Sequence, residues 1–576
     1  MLYGAGPDAG ESPKGRGFDI NRKLARLSAL KTERSSWDTH WRDIAQYQFP
    51  RAGRFISSET NQGNKKHGLI YDNTAIFSVR TLAAGMMSGV TSPARPWFRL
   101  GLADKDLMEF GPVKQWLHDV TELMRAVFAA SNTYNSLHAC YEELGAFGTW
   151  ADIVLPDFDN VIHHYPLTVG EYYLGHNFKG QVDTVAREMK MTVGQMVEQF
   201  GKTNCSATVR NLWDRGAYDK WVDVIHMVQP RRDREYGKRD AKNMAFESCY
   251  FEPGKEAWDN YLSESGFKRF PALCPRWTVT GNDIYGRSPG MEALGDVKQL
   301  QFEQQRKAQA IEYQVNPPLQ VPLAYKNSAQ SRLPGGVMYV DAVNPSGGVR
   351  TAFDVNLRLD FLLQSIGDTR DRIRQAYYAD LFLMLAQQPA NGRMTATEVA
   401  ERHEEKLLML GPVLERLHNE LLSPLVDMTF ERCMEAGILP TPPEEIQGVE
   451  LDIEFISVLA QAQRAVAVNG MERLLTTAGA IAPMKPEVLD KINFDQVIDD
   501  MANAFGVNPA LVLPDADVAA VRAQRAQAMQ AAQSAATAPQ VVESAKTASE
   551  INTDQLRDVM GMLTGYSSPS PAMTGA

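Results

Sequence analysis

The sequence predicts an α+β fold that is mainly helical, and three observations lead there. Several long stretches space their apolar residues three and four apart, which is one face of an α-helix. Between Thr149 and about Gln229 that rhythm gives way to short runs separated by turns, which read as strands. The strands cluster together, so the region is α+β and not doubly wound.

The elements follow in order. Asn21 to Gln48 reads as a helix, with Leu24, Leu27, Leu30, Trp37, Trp41, Ile44 and Tyr47 broadly helix-spaced and Pro50 ending it. Asp72 to Val90 is a second helix, small and apolar on one face. Thr91 to Leu100 turns into a buried aromatic strand. Pro112 to Ala130 and Tyr134 to Gly145 are helices. Ile153–Leu155, Val161–Tyr165, Tyr172–Phe178 and Val182–Met189 read as strands, Thr192–Phe200 as a short helix. Val222–Gln229, Ala245–Glu252 and Arg269–Thr278 are expected to continue the sheet. Ser288 and Pro289 form a cap and a first-turn proline for a helix to about Tyr313. Asn316 to Gly348, rich in proline and glycine, is a compact excursion with short strands. A third long helix is expected from Phe353 to Leu385, then a polar loop from Ala386 to Met394.

The stretch from Thr395 to Gly437 is the longest helical pattern. Thr395 and Glu398 make a capping box. Leu407, Leu410, Leu414, Leu417, Leu421, Leu425 and Met428 follow at alternating steps of three and four, and Gly437 closes the pattern. Unbroken, it would span about 60 Å at 1.5 Å per residue. Pro412 and Pro424 are expected to bend it, since each removes an intrahelical hydrogen bond. Beyond lie a strand at Leu451–Ser457, helices at Ala460–Ala478 and Glu487–Phe505, and a helix-forming Ala/Gln/Arg stretch at Asp517–Ala536. The ends, up to Gly17 and from about Thr537, read as loose.

At 576 residues the chain is too long for one small core. An apolar content of 44% and a charged content of 22% are those of a folded soluble protein. The net charge of −11 argues against a surface that wraps a phosphate backbone. It leaves room for DNA moving through an acidic, non-sticky passage. The five cysteines form no close pair, so zinc-knuckle and dithiol redox motifs are absent. No apolar run reaches membrane-spanning length, and no signal peptide opens the chain.

The motifs that suggest chemistry are near misses. Gly201–Lys202–Thr203 ends like a Walker loop, but Met196 stands where its first glycine belongs. His163 and His164 sit in a strand-like run whose alternation sends them to opposite faces, which suits a structural histidine better than a metal site. His403 lies among Glu401, Glu404 and Glu405 with no H-E-x-x-H; the acids read as a solvated first-turn face. The basic run Arg231 to Asp240 reads first as a charged surface loop, because interleaved acids weaken a nucleic-acid reading. No catalytic residue, cofactor or metal is expected.

From roughly Arg34 to Pro440 the chain resembles the head-to-tail connector, or portal, proteins of short-tailed bacteriophages, the T7-like group especially. The matching stretches are D-N-T-A at Asp72–Ala75 and P-W-F-R-L at Pro96–Leu100. Then come D-I-Y-G-R-S-P-G at Asp283–Gly290 and G-D-V-K-Q-L at Gly295–Leu300. The last are T-A-T-E-V at Thr395–Val399, L-G-P at Leu410–Pro412 and E-L-L-S-P-L at Glu420–Leu425. The resemblance implies a homo-oligomeric ring, usually of twelve subunits, at one capsid vertex of the virion, assembled in the host cytoplasm. Its implied partners are the large terminase, capsid and scaffolding proteins, tail and adaptor proteins, and double-stranded DNA in the channel, with no membrane.

The resemblance also divides the chain. Residues 1–31 would be a flexible arm, 32–287 the wing, 288–315 and 351–386 the two stem helices, and 316–350 the clip. Residues 387–394 would be the channel loop, 395–437 the long kinked wing helix, 438–536 the crown and a possible helical barrel, and 537–576 a flexible tail. Candidate channel-facing residues are Glu303, Asp368, Asp371, Gln387, Gln388, Asn391 and Arg393. Two other readings compete: a nucleotide-dependent packaging enzyme resting on Lys202, and a helical virion scaffold or adaptor.

Overall fold

The computed structural model describes residues 16–50, 52–55, 68–104, 107–108, 110–235, 237–238, 240–254, 261–315, 319–320, 350–351, 360–386, 410–449 and 451–455. Further on it describes 470–471, 473–481, 483, 485, 487, 491–505, 511–512 and 518–532. They form a mixed α+β fold. The chain divides into two compact units. The first holds residues 1–103, 116–442 and 447–469; the second holds 104–115, 443–446 and 470–576.

The first unit is built around a five-stranded antiparallel sheet. Its strands are β4 (Tyr172–His176), β5 (Val182–Thr192), β6 (Trp221–Pro230), β7 (Phe246–Phe251) and β8 (Ser263–Phe267), in that spatial order. Alternation along the strands gives the sheet two apolar faces. Helix α1 (Arg16–Tyr47) covers one, packing Ile20, Leu27 and Leu30 on Ala186, Ile225, Met227 and Phe251. Helices α5 (Val193–Phe200) and α6 (Ala207–Asp214) cover the other, with Met196, Phe200 and Val209 on Met191 and Val224. Thr192 caps α5 in a capping box with Gln195, and Ser206 caps α6.

Several expectations are corrected here. Residues 16–31, expected within a flexible arm, belong to α1, because Ile20, Leu27 and Leu30 are buried on the sheet. Arg269–Thr278 does not extend this sheet. Only β9 (Ala272–Leu273) is strand, and it pairs with β2 (Ala151–Asp157) in a separate three-stranded sheet ordered β3-β2-β9, β3 being Val161–Leu167. Pro271 and Pro275 have no N–H for a longer ladder. The fifth strand is instead Ser263–Phe267, a polar edge strand with no apolar alternation to reveal it.

Helices α2 (Thr74–Val90), α3 (Gly111–Ala130) and α4 (Thr133–Phe147) lie close to their expected bounds. Strand β1 (Phe98–Leu102) pairs antiparallel with a strand far along the chain, Leu451–Phe455, and Arg99 faces Glu454 in that register at 2.5 Å.

Helix α7 (Pro289–Val315) starts at its expected cap: Ser288 Oγ accepts the Met291 N–H. Strands β10 (Leu319–Gln320) and β11 (Arg350–Thr351) pair antiparallel and so bring together the ends of the chain between them. Of the expected helix Phe353–Leu385, residues 353–359 lie outside the described residues, and the rest is not continuous. It is α8 (Asp360–Ala376) and α9 (Ala379–Ala386), interrupted where Tyr378 takes a left-handed φ of 54°. Tyr377 turns its ring into the core there.

Thr395 to Met409 lies outside the described residues. From Leu410 on, the expected leucine stripe is buried. Helix α10 (Gly411–Leu417) runs through one π turn (His418–Leu422) into α11 (Ser423–Glu435). Pro424 supplies the reason. It has no N–H to offer, and in the π turn the Ser423 N–H reaches five residues back to the His418 carbonyl. Pro412 stands in the first turn of α10, where a missing N–H costs nothing. Gly437, at φ 69°, ends α11. Its N–H bonds the Met434 carbonyl, and the Ile438 N–H bonds that of Cys433.

In the second unit, α12 (Phe494–Phe505) and a helical stretch at 518–532 are tied by Arg522, whose two terminal nitrogens reach both oxygens of Asp495 at 2.7 Å. No described helix is long and apolar enough to cross a membrane.

Candidate functional site, a helical hairpin and its anchorage

Helices α7 and α8 form an antiparallel pair. Asp296 meets Arg372 at 3.1 Å, and seven residues later Glu303 accepts from Ser365, seven residues earlier on α8. The first turns of α7 are buried through Ala293, Leu294, Val297 and Leu300. On α8, Ile366, Thr369 and Ile373 are buried.

Two buried clusters clamp the base of this hairpin. In the first, Gln48 at the end of α1 donates Nε2 to the Gly290 carbonyl at 2.8 Å and accepts from the Tyr377 hydroxyl. Ser288 Oγ donates to the Ala146 carbonyl at 2.8 Å. Gly290 lies so tight that a Cβ would stand 2.4 Å from that same Ala146 carbonyl and 2.9 Å from both Gln48 and Tyr377. Burial raises the Tyr377 hydroxyl pKa, so it stays a proton donor.

The second cluster centres on Asp72, just before α2. Its carboxylate accepts from Thr74, from Gln304 at 3.0 Å, and from both Nε and Nη2 of Arg370, at 3.0 and 2.7 Å. Gln301 closes the ring. Its Oε1 accepts the Tyr71 and Asp72 N–H groups, and its Nε2 donates to the Asp72 carbonyl. Burial raises the Asp72 pKa, but the hydrogen bonds from Thr74 and Arg370 outweigh it and hold the carboxyl below its ordinary value. The D-N-T-A stretch is thus a clamp on both helices of the hairpin.

A third cluster locks the π turn. Arg276, 4% exposed, forms a bidentate pair with Glu420, through Nη2 at 2.6 Å and Nε at 3.1 Å. The Arg276 backbone N–H also reaches Glu420, and Nη2 donates to the Gly180 carbonyl. Arg416, one turn before Glu420, adds a second cation at 3.1 Å. So the residue in the π turn is held by strand-side backbone and by its own helix at once.

The candidate channel residues are placed unevenly. Asp368 and Asp371 are exposed on α8, and Asp371 pairs with Arg374 at 2.9 Å. Glu303 lies in the seam between the helices, taking hydrogen bonds from Gln299 and Ser365, while its second oxygen is buried without a partner among the described residues. Gln387, Gln388, Asn391 and Arg393 lie outside the described residues. Sequence reasoning missed Gln48, Tyr377, Arg276 and Glu420; Tyr377 reaches Gln48 across 329 positions and Arg276 reaches Glu420 across 144, and no local spacing could have paired them.

The chemical decoys resolve structurally. Lys202 sits in a one-turn 3₁₀ helix after α5 and pairs with Asp214 at 2.5 Å. His164 bridges Asp152 and Thr133, the order of an acid–histidine–hydroxyl relay, but all three are at most 1% exposed. With no access for a substrate it is a core cluster, in which Asp152 Oδ1 is buried without a hydrogen-bond partner among the described residues. Arg231 pairs with Glu264 at 3.1 Å. Among the described residues no group of three or more His, Cys, Asp or Glu could hold a metal.

Comparison with known proteins is direct. The family described as bacteriophage head to tail connecting protein matches residues 21–513. A probable portal protein of Bordetella phage BPP-1 is 55% identical over 546 residues, covering 94% of this chain and 98% of that protein. The portal protein of Salmonella phage epsilon15 is 46% identical over 534 residues, covering 92% and 96%. Among solved structures, a chain in the neck of an empty GTA particle computed with C6 symmetry superposes at a TM-score of 0.34 and 11% identity, over 74% of this chain and 92% of that one. A likeness that slight carries no argument.

Proposed function

The chain belongs to the bacteriophage head-to-tail connecting family, the portal proteins, and from that premise we propose how its parts divide the work. It is the portal of the capsid vertex: the channel for DNA packaging and ejection, and the platform on which packaging and tail proteins dock. The observation that carries this is 55% identity to a portal protein across 94% of the chain.

The finer assignment is our reading. The two sheets with α1 to α6 make the wing. The hairpin of α7 and α8 is the stem, and 316–350, whose ends the β10–β11 pair brings together, is the clip. Residues 387–394 form the channel loop, 395–437 the wing helix, and 438–536 the crown. Twelve copies close the ring. The clip meets the large terminase and later the tail and adaptor proteins, and the wing meets capsid and scaffolding proteins in the host cytoplasm.

Support for a sliding channel comes from α8. All three of its arginines are paired, Arg370 with Asp72, Arg372 with Asp296 and Arg374 with Asp371, and Asp368 is exposed beside them. Carboxylates facing passing phosphates repel them and prevent a tight grip. The chain does no chemistry; ATP turnover belongs to the terminase.

Light scattering and negative-stain imaging of the full-length protein test the reading. A closed ring with a central hole is expected. Only monomers or dimers, with assembly partners present, would overturn it.

A further inference from the structure

We propose that the cavity between the end of α1, helix α4 and the link from β3 to β4 is a binding site for an alkyl diamine, whose ammonium groups meet Glu142 and Glu143. The proposal stands on the cavity and is independent of the ring reading.

The cavity measures about 380 Å³, within the range of small-ligand sites. Its frame is fixed by backbone. The Gly53 N–H donates to Thr168 Oγ1 at 2.8 Å, and the Arg54 N–H donates to the Val169 carbonyl at 2.8 Å. Gly170 takes a left-handed φ of 97°, and a Cβ there would collide with the Arg54 carbonyl. Phe49, Ala139 and Pro166 give the space an apolar wall. Phe49 follows Gln48, the residue that clamps Gly290, so a ligand here steadies the end of α1 that holds the hairpin.

Charge defines the ligand. Glu142, Glu143 and Glu171 face the space with one cation, Arg54, and that pairs with Glu171 at 3.3 Å. Glu142 makes no ion pair among the described residues. Glu143, 7% exposed, accepts the Val169 N–H at 3.2 Å and the Thr168 hydroxyl, and no cation. A buried carboxylate without a counter-charge is costly. Tyr172, next to Glu171 in the chain and within reach of the Glu143 charge, is wholly buried with its hydroxyl unpartnered among the described residues. So the chain leaves two buried polar groups unanswered at one place. The carboxyls do not converge on a point. Glu142 and Glu143 are adjacent on α4, about 100° apart around it, and no group of three among the described residues could hold a metal ion. Separated carboxyls beside an apolar wall suit a cation with length, two ammonium groups joined by methylenes that bury against Phe49, Ala139 and Pro166. In the empty site burial, with Glu171 and Glu142 adding to it, pushes the Glu143 carboxyl up to about 8. An ammonium seated there displaces its proton, so affinity rises by about tenfold per pH unit from about 6 to about 7.5.

The test is calorimetric titration of the full-length protein with 1,4-diaminobutane at pH 7, in two buffers of different ionisation enthalpy. One diamine per chain is expected, with about one proton released, and no binding of the neutral isostere 1,4-butanediol. Glu143→Gln keeps the neutral shape of the empty site; it should release no proton and bind about tenfold more weakly. Ala139→Leu fills the cavity, leaves every charge in place and should abolish binding. Should that variant misfold, Glu142→Gln decides in its stead, at a partly exposed position, by the same loss of affinity as Glu143→Gln. No binding at millimolar diamine, binding without proton release, or binding that survives these substitutions in a folded protein overturns the proposal. Ring yield bears on the portal reading and leaves this result untouched.

Discussion

The five-stranded sheet and the helical hairpin place their apolar residues in opposite ways. Both sheet faces are covered from within the chain, by α1 on one side and α5 with α6 on the other. The hairpin is covered only at its base. Helix α7 buries Leu294, Val297 and Leu300, then exposes Phe302, Ile311, Tyr313 and Val315 along its second half. The sheet is a core that one chain completes. The hairpin is a core that one chain completes only at its base. Exposed aromatic and aliphatic side chains of that size on a rigid helical pair are the mark of an interface.

The sharpest way to break this contrast is to replace exposed hairpin residues together, Phe302→Asp with Phe361→Asp. Loss of the ring with an intact fold is the largest effect expected, and it should leave the sheet untouched. Next is the lock on the π turn. Glu420→Ala strands a buried Arg276 guanidinium, and should lower stability by about 3 kcal/mol in a denaturant titration. A midpoint unchanged from the parent would mean that Arg276 has found other partners.

Gly290→Ala forces a methyl against the Ala146 carbonyl, a backbone atom that cannot swing aside. A cost of about 2 kcal/mol is expected from overpacking, read as a lower melting temperature. If ring yield falls as well, the clamp at Gln48 and Tyr377 also sets the hairpin's angle.

The smallest effect at mildly acidic pH belongs to Glu143, on α4 behind the three-stranded sheet. Burial pushes its carboxyl up to about 8, against hydrogen bonds from Thr168 and the Val169 N–H. The folded protein therefore keeps a proton that the unfolded chain gives up from about 4.5. Stability from this group is whole below that value and is lost as pH rises toward 8. Glu143→Gln should melt like the parent at pH 5 and above it at pH 8. Parallel melting profiles for the two proteins would refute the burial argument.

Much of the helical layout was legible. Apolar spacing located α1, α2, α3 and α4, the Ser288–Pro289 start of α7, and the leucine stripe that proved buried from Leu410 to Met428. Family resemblance named the function that the comparisons bear out. The misses share a cause. Ser263–Phe267 is a strand because β7 offers it a ladder, not because its own residues favour one. The Arg269–Thr278 run reads as sheet by composition, but its two prolines limit it to the two-residue β9 and isolated bridges at Arg276 and Thr278. The Phe353–Leu385 pattern is periodic throughout, yet Tyr378 breaks it so that Tyr377 can reach Gln48.

The sequence by itself determined the helices, their caps and their apolar faces, because those depend on neighbours within a few residues. It also carried the family, through the order of its motifs. Only the tertiary structure decided which faces are covered. Asp72 with Gln304 and Arg370, Gln48 with Tyr377, and Arg276 with Glu420 join residues from 144 to 329 positions apart. These contacts orient the hairpin, and its orientation shows that Glu303 turns into the seam while Asp371 turns out. A residue's direction around a helix is a local property; what stands in that direction is not.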